Sequence, residues 1–156
     1  MPKWGYSWTE FDPERMVKAS AREVSVSHKA AREVCKYIVG MPLDKAKEYL
    51  NKVIEKKAAV PFKRFNKKAG HRRGLNKAFA GRYPVKTAEV ILKLLEGAEA
   101  NADYNGLDVE NLKITHTSAY PGRKLKDFVP RAFGRSSPNF DTLCNIELVL
   151  GLKETR

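Results

Sequence analysis

Between Lys56 and Ala88 the chain has no aspartate or glutamate, although it carries eleven lysines and arginines there. A solvated surface usually interleaves both signs, so this one-sidedness argues against an ordinary exterior and calls for a polyanionic partner. Long apolar runs are missing too. Nothing approaches the roughly 18–20 consecutive apolar residues of a membrane-spanning helix, so no membrane partner is expected. Met1–Tyr6 has neither the apolar core nor the cleavage site of a signal peptide, which makes the cytoplasm the expected location.

Cysteine is scarce. Cys35 and Cys144 each sit in an apolar pattern, outside any Cys-x-x-Cys or Cys/His cluster. Two buried, reduced thiols are the plain reading, with a disulfide or a metal site as the alternative. The histidines His28, His71 and His116 fall in three different kinds of segment. No metalloprotease, nucleophile-elbow or phosphate-loop pattern is present, and no Gly-Lys-Ser or Gly-Lys-Thr opens a helix. Most acids lie three or four residues from a base, as Glu48 does from Lys52, and read as solvated helix faces. These absences argue against an enzyme, a metal, a cofactor or a small-molecule substrate. A nuclease would need the clustered acids that are lacking.

What the chain does have is concentrated charge. The net charge is +12 over 156 residues. Residues 56–88 hold +11, and residues 123–135 hold five basic residues against the single Asp127. Those two stretches together hold +15, so the remainder of the chain sums to −3, as in an ordinary slightly acidic domain. That length suits one domain with one modest core, and a 42% apolar content is enough to fold it.

The pattern divides this domain into parts. Residues 1–13 read as an extended arm with Trp4, Tyr6, Trp8 and Phe11. Residues 16–26 look strand-like near their end, where Val24 and Val26 alternate with polar residues. Ser27 is a good cap for a first helix with the stripe Ala31, Val34, Cys35, Ile38 and Val39, stopped by Gly40 and Pro42. Asp44 can cap a second helix that buries Ala46, Tyr49, Leu50, Val53 and Ile54, completing a two-helix hairpin. The basic segment 61–82 keeps no period and reads as a long irregular loop, a kind usually functional. Pro84 suits the first turn of a third helix with Val85, Ala88, Ile91, Leu92, Leu94 and Leu95, ended by Asn105-Gly106. Leu112, Ile114 and His116 then alternate with polar residues, as do Cys144, Ile146, Leu148 and Leu150 further on. The polar stretch between, 118–142, predicts one very long hairpin whose distal part leaves the body. A two-stranded ribbon is marginal alone, so an external anionic surface is expected to order it.

Two segments carry binding chemistry. In the loop, Lys63, Arg64, Lys67, Lys68, Arg72, Arg73, Lys77 and Arg82 can neutralise phosphates, while Phe65 and His71 can stack on unpaired bases. A solvated flexible loop or a localisation signal is the bland alternative. The hairpin approach offers Arg123, Lys124 and Lys126. Its tip, Arg131, Ala132, Phe133, Gly134, Arg135 and Ser136, sets two planar guanidinium groups around one exposed aromatic. A general RNA- or DNA-binding accessory protein satisfies these features as well.

Three features together resemble a known family. The first helix shows Ser27, Arg32, Val34, Ile38 and Gly40. The tip reads Pro130-Arg131-Ala132-Phe133-Gly134-Arg135. A third helix is followed by two widely separated strands. In this order they resemble the universal large-subunit ribosomal protein family numbered twenty-two, in its archaeal and eukaryotic form, from about residue 10 to residue 152. The resemblance implies an α+β fold, with three helices packed on a small antiparallel three-stranded sheet and a long protruding β-hairpin. It implies a structural constituent of the large ribosomal subunit that binds its RNA and stabilises its folding and assembly. By resemblance, Arg32 joins the RNA-binding set, and the hairpin tip lines the nascent-polypeptide exit tunnel. The implied partners are large-subunit ribosomal RNA, neighbouring ribosomal proteins and the passing nascent chain. Unlike the bacterial form, this chain has Pro138, Asp141 and Thr142 on the returning limb, and segment 61–82 resembles an insertion.

Overall fold

The computed structural model describes residues 5–75 and 78–152. Trp4 and Lys77 lie outside the described residues. The elements run β1 (Met16–Val24), α1 (His28–Ile38), α2 (Leu43–Ile54), β2 (Val60–Pro61), β3 (Gly81–Arg82), α3 (Val85–Tyr104), a short 3₁₀ turn, β4 (Leu112–Pro130) and β5 (Ser136–Leu152). Strands β1, β5 and β4 form an antiparallel sheet in that order, with the last strand in the centre. The three helices cover one face, which is the expected α+β arrangement.

The central strand organises the core. Cys144, Ile146, Leu148 and Leu150 point at the helices and are buried, meeting Ala31, Val34, Cys35 and Ile38 of α1. Each fully buried large aliphatic contributes about 1.5–3 kcal/mol by leaving water. Both cysteines are free and buried. Burial pushes the Cys35 thiol up to about 12 and the Cys144 thiol up to about 11.

Helix α1 starts as its sequence signals, with Ser27 Oγ accepting from the Ala30 N–H. Val39 does not belong to the buried stripe; it follows the helix and is exposed. Gly40 takes the left-handed conformation at φ +82° that its place after α1 predicted. Its N–H donates to the Ile114 carbonyl, and the Ile114 N–H donates to Met41, so the turn is stitched to the edge of β4. That stitching sets the start of α2. Pro42 occupies the cap position instead of Asp44, which lies in the first turn, where a carboxylate favours the free N–H groups. Tyr37 and Tyr49 meet at 4.7 Å between ring centroids across the two helices. The body of α2 packs mainly on α3, and α1 mainly on β4. In α3 the deepest positions are Ala88, Ile91, Leu95, Ala98 and Ala102, while Val85 and Leu92 are half-buried.

Two strands differ from the sequence reading. β1 begins at Met16 and buries Val17 and Ala19, pairing along β5 until a bulge between Ala21 and Val24. The alternation of Leu112, Ile114 and His116 breaks at a second bulge between Ile114 and His116. One extra residue reverses the parity of everything beyond it. Thr117 therefore turns to the core, and His116 turns to the opposite face.

That opposite face is also covered. Glu147 is fully buried on it. Its carboxylate accepts from the Ser7 N–H at 3.1 and 3.2 Å and from the Ser7 hydroxyl, lies 3.1 Å from His116 Nε2, and accepts from Tyr120 Oη at 3.5 Å. Trp8 stacks on His116 at 5.2 Å. The Lys18 ammonium lies over the rings of Tyr6 and Phe11. Residues 6–11 of the arm therefore lie on the protein, pinned by a buried carboxylate.

Candidate nucleic-acid interface

Glu33 organises the basic segment. It sits on α1 between Arg32 and Val34, and it is 2% exposed. Its Oε2 accepts from the Lys63 N–H at 3.0 Å, and its Oε1 accepts from Arg64 at 3.1 Å and Phe65 at 3.3 Å. Arg32 donates to the same Oε1 at 3.4 Å. Three successive N–H groups converging on one carboxylate turn the chain so that the Lys63 and Arg64 side chains are exposed. In sequence Glu33 stands beside Arg32 like any solvated helix acid, and no local signal marks the donors that converge on it from 30 residues away.

The loop is irregular, as expected, but it has a two-stranded base that its sequence did not announce. β2 pairs with β3, Phe62 N–H donates to Ala80, and a bridge joins His71 to Ala80. Arg82 donates to the carbonyls of Lys67 and Lys68 at 3.5 and 3.1 Å and lies over the Phe62 ring. Arg72 lies over Tyr83 at 5.3 Å, and His71 meets Phe79 edge-on at 5.1 Å. Lys29, Arg32 and Arg64 surround the Phe65 ring at 5.7–5.9 Å. Arg73 is exposed at a turn. The structure thus gathers Arg32 with Lys63, Arg64, Phe65, Lys67, Lys68, His71, Arg72, Arg73 and Arg82 on one side of the body.

The hairpin is separate from that cluster. Seven residue pairs, from Lys124↔Thr142 to Pro130↔Ser136, continue β4 and β5 beyond a bulge at Pro121. At about 3.3 Å per residue this carries the tip roughly 23 Å outward. Regular register sorts the side chains into two faces. Lys124, Lys126, Phe128 and Pro130 share one face with Thr142, Phe140 and Pro138, and Phe128 meets Phe140 edge-on at 5.8 Å. Leu125, Asp127 and Val129 share the other with Asp141, Asn139 and Ser137. Arg123, nearer the body, pairs with Glu23 at 3.5 Å.

The turn is closed by Arg131 N–H donating to Arg135 at 2.8 Å, and Arg131 Nε donates to Ser137 Oγ. Phe133 and Gly134 both take positive φ, at 58° and 66°, which throws the Phe133 ring outward to 94% exposure. Arg135 and Ser136 complete an exposed tip. Ala132 keeps the turn narrow and accepts from the Arg135 N–H.

Among the described residues, no group of three or more His, Cys, Asp or Glu is placed to hold a metal, and no helix is long and apolar enough to cross a membrane. The class so defined is a basic α+β protein with a well-packed body, its cations carried on a loop and a projecting hairpin.

Comparison with known proteins makes the class particular. Residues 19–151 match the family described as ribosomal protein L22p/L17e. The large ribosomal subunit protein uL22 of Archaeoglobus fulgidus is 47% identical over 149 residues, covering 96% of each chain. That of Methanopyrus kandleri is 49% identical, covering 96% of this chain and 98% of its own. Thermofilum pendens uL22 is 46% identical, covering 96% and 97%. The chain belongs to the ribosomal protein L22p/L17e family, and so to the structural, non-enzymatic components of the large ribosomal subunit.

Proposed function

We propose that this chain is a clamp on large-subunit ribosomal RNA, with its body on the RNA surface and its hairpin tip on the wall of the nascent-polypeptide exit tunnel. The observation that carries the reading is the placement of charge. The loop and hairpin present exposed cations and rings, while Glu33 of α1, the acid that meets the acid-free loop, is spent on its backbone N–H groups. On the loop side Arg32, Lys63, Arg64, Lys67, Lys68, Arg72, Arg73 and Arg82, with Lys77, serve phosphates, and Phe65 and His71 serve bases. On the hairpin, Lys124 and Lys126 face RNA together with Phe128 and Phe140, and Arg123 lines the approach. The acid-bearing face with Asp127 and Asp141 turns away from phosphate, because like charges repel. Arg131 and Arg135 bind the RNA of the tunnel wall, and together with Phe133 they line the tunnel along which the peptide passes. Holding RNA segments in one geometry is how such a clamp aids folding and assembly of the subunit beside its neighbouring proteins, in the cytoplasm.

A photoreactive residue at position 133, in ribosomes holding a stalled nascent chain, tests this. Cross-links to both nascent chain and large-subunit RNA are expected. Ribosomes that incorporate the variant yet give only cross-links to other proteins would overturn the tunnel assignment.

A further inference from the structure

An open groove of about 870 Å³ lies where the start of α1, the basic loop and the start of α3 meet. This is within the roughly 300–1,000 Å³ of sites that enclose a small ligand. Its floor is buried or half-buried and apolar, made by Phe62, Phe65, Tyr83 and Val26. Its rim is exposed and cationic, made by Lys29, Arg64, Lys67 and Lys86, and no Asp or Glu lines it. Ser27, Asn66 and Thr87 add hydrogen-bonding groups to its lining.

We propose that this groove receives one unstacked nucleotide of the RNA, its base on the aromatic floor and its phosphates on the rim. The inference rests on the RNA-binding reading above and adds a specific subsite to it. A duplex backbone has no use for a concave aromatic floor, and an apolar peptide has no use for an acid-free ring of cations. A nucleotide has a flat apolar face, polar edges and an anionic linkage, and this groove offers a counterpart to each. The groove is also built in advance. Glu33 holds the loop from below, and Arg82 ties Lys67 and Lys68 to the ring of Phe62. Binding there pays little ordering entropy, in contrast to the projecting hairpin.

The test uses the full chain and transcribed large-subunit RNA across a salt series. Phe65→Leu keeps an apolar side chain but removes the stacking face, and is expected to weaken binding about tenfold with an unchanged salt slope. Arg64→Gln is expected to lower the slope by roughly 0.7–0.9. Ultraviolet irradiation of the wild-type complex, which needs no variant, should attach the peptide carrying Phe62 and Phe65, or Tyr83, to a single RNA position. Wild-type affinity in Phe65→Leu together with no cross-link from those peptides overturns the groove, while loss of binding in Arg131→Gln/Arg135→Gln keeps the RNA reading. Wild-type protein that fails to bind the RNA in a salt-dependent way overturns both. Saturation of the groove by free adenosine 5′-monophosphate at micromolar concentration would overturn the RNA assignment in favour of a mononucleotide site.

Discussion

Replacing Glu33 by glutamine isolates the one anion on which the basic loop is built. The two carboxylate oxygens divide their work: Oε1 accepts from Arg64, Phe65 and Arg32, and Oε2 accepts from Lys63 alone. A glutamine amide oxygen can take over the Oε1 position. Its NH₂ group then faces the Lys63 N–H, donor against donor. The variant loses one charge-assisted hydrogen bond and weakens three others. Bonds to charged groups contribute about 1.5–3 kcal/mol each, so loop opening should become roughly 10–150 times more frequent. Amide hydrogen exchange by NMR reads this directly. Lys63, Arg64 and Phe65 should exchange faster by that factor, whereas Leu148 and Ile146 in the central strand change little. RNA affinity should fall too, since an opened loop must be re-ordered on binding. Unchanged protection at residues 63–65 in Glu33→Gln would refute the claim that this carboxylate holds the loop.

The same logic yields further expectations. Glu147→Ala leaves the Ser7 N–H, His116 and Tyr120 without their shared acceptor, so chymotrypsin should cleave after Tyr6 or Trp8 many times faster than in wild type. Gly134→Ala places a Cβ at φ +66° and should cost about 1–2 kcal/mol at the tip, altering hairpin amide shifts while the body's unfolding midpoint holds. Burial raises both thiols above their unfolded value of 9.0, so the folded state retains protons that the unfolded chain releases. Stability should therefore be independent of these groups below about pH 9 and fall above it, by about 1.4 kcal/mol per pH unit for each thiol up to its folded value. Urea titrations from pH 8 to 10.5 check the sign, and a rise in stability with pH would contradict it. Lys124→Gln/Lys126→Gln should reduce the salt slope of RNA binding by roughly 1.4–1.8, with no change in the unfolding midpoint.

The exposed rings of the hairpin follow from its isolation. Leu125, Phe128, Val129, Phe133 and Phe140 are all exposed on a ribbon that has no third layer to bury them. Apolar groups gathered this way mark a surface that another molecule covers. The two-faced register supplies a reason why one molecule need not cover all of it, since the cationic ring-bearing face and the acid-bearing face suit different neighbours.

The sequence by itself determined those features whose cause is local. Ser27 and Gly40 bound α1 because a hydroxyl cap and a left-handed glycine act within a few residues. The even positions from Cys144 to Leu150 fall on one face because strand period is a property of the backbone. The concentration of charge in 56–88 and 123–135 is likewise visible without a fold. Tertiary structure alone decided the rest. Asp44 yielded the cap position to Pro42 because the preceding turn is tied to β4, a strand some seventy residues away. His116 left the core face because one bulge reversed its parity. Glu33 and Glu147 look in sequence like any solvated glutamate, yet each is buried, one beneath the basic loop and one beneath the arm. A charge is worth burying only where several donors converge on it, and those donors come from segments 30 and 140 residues distant. Such convergence depends on the path of the whole chain, so no local pattern could announce it.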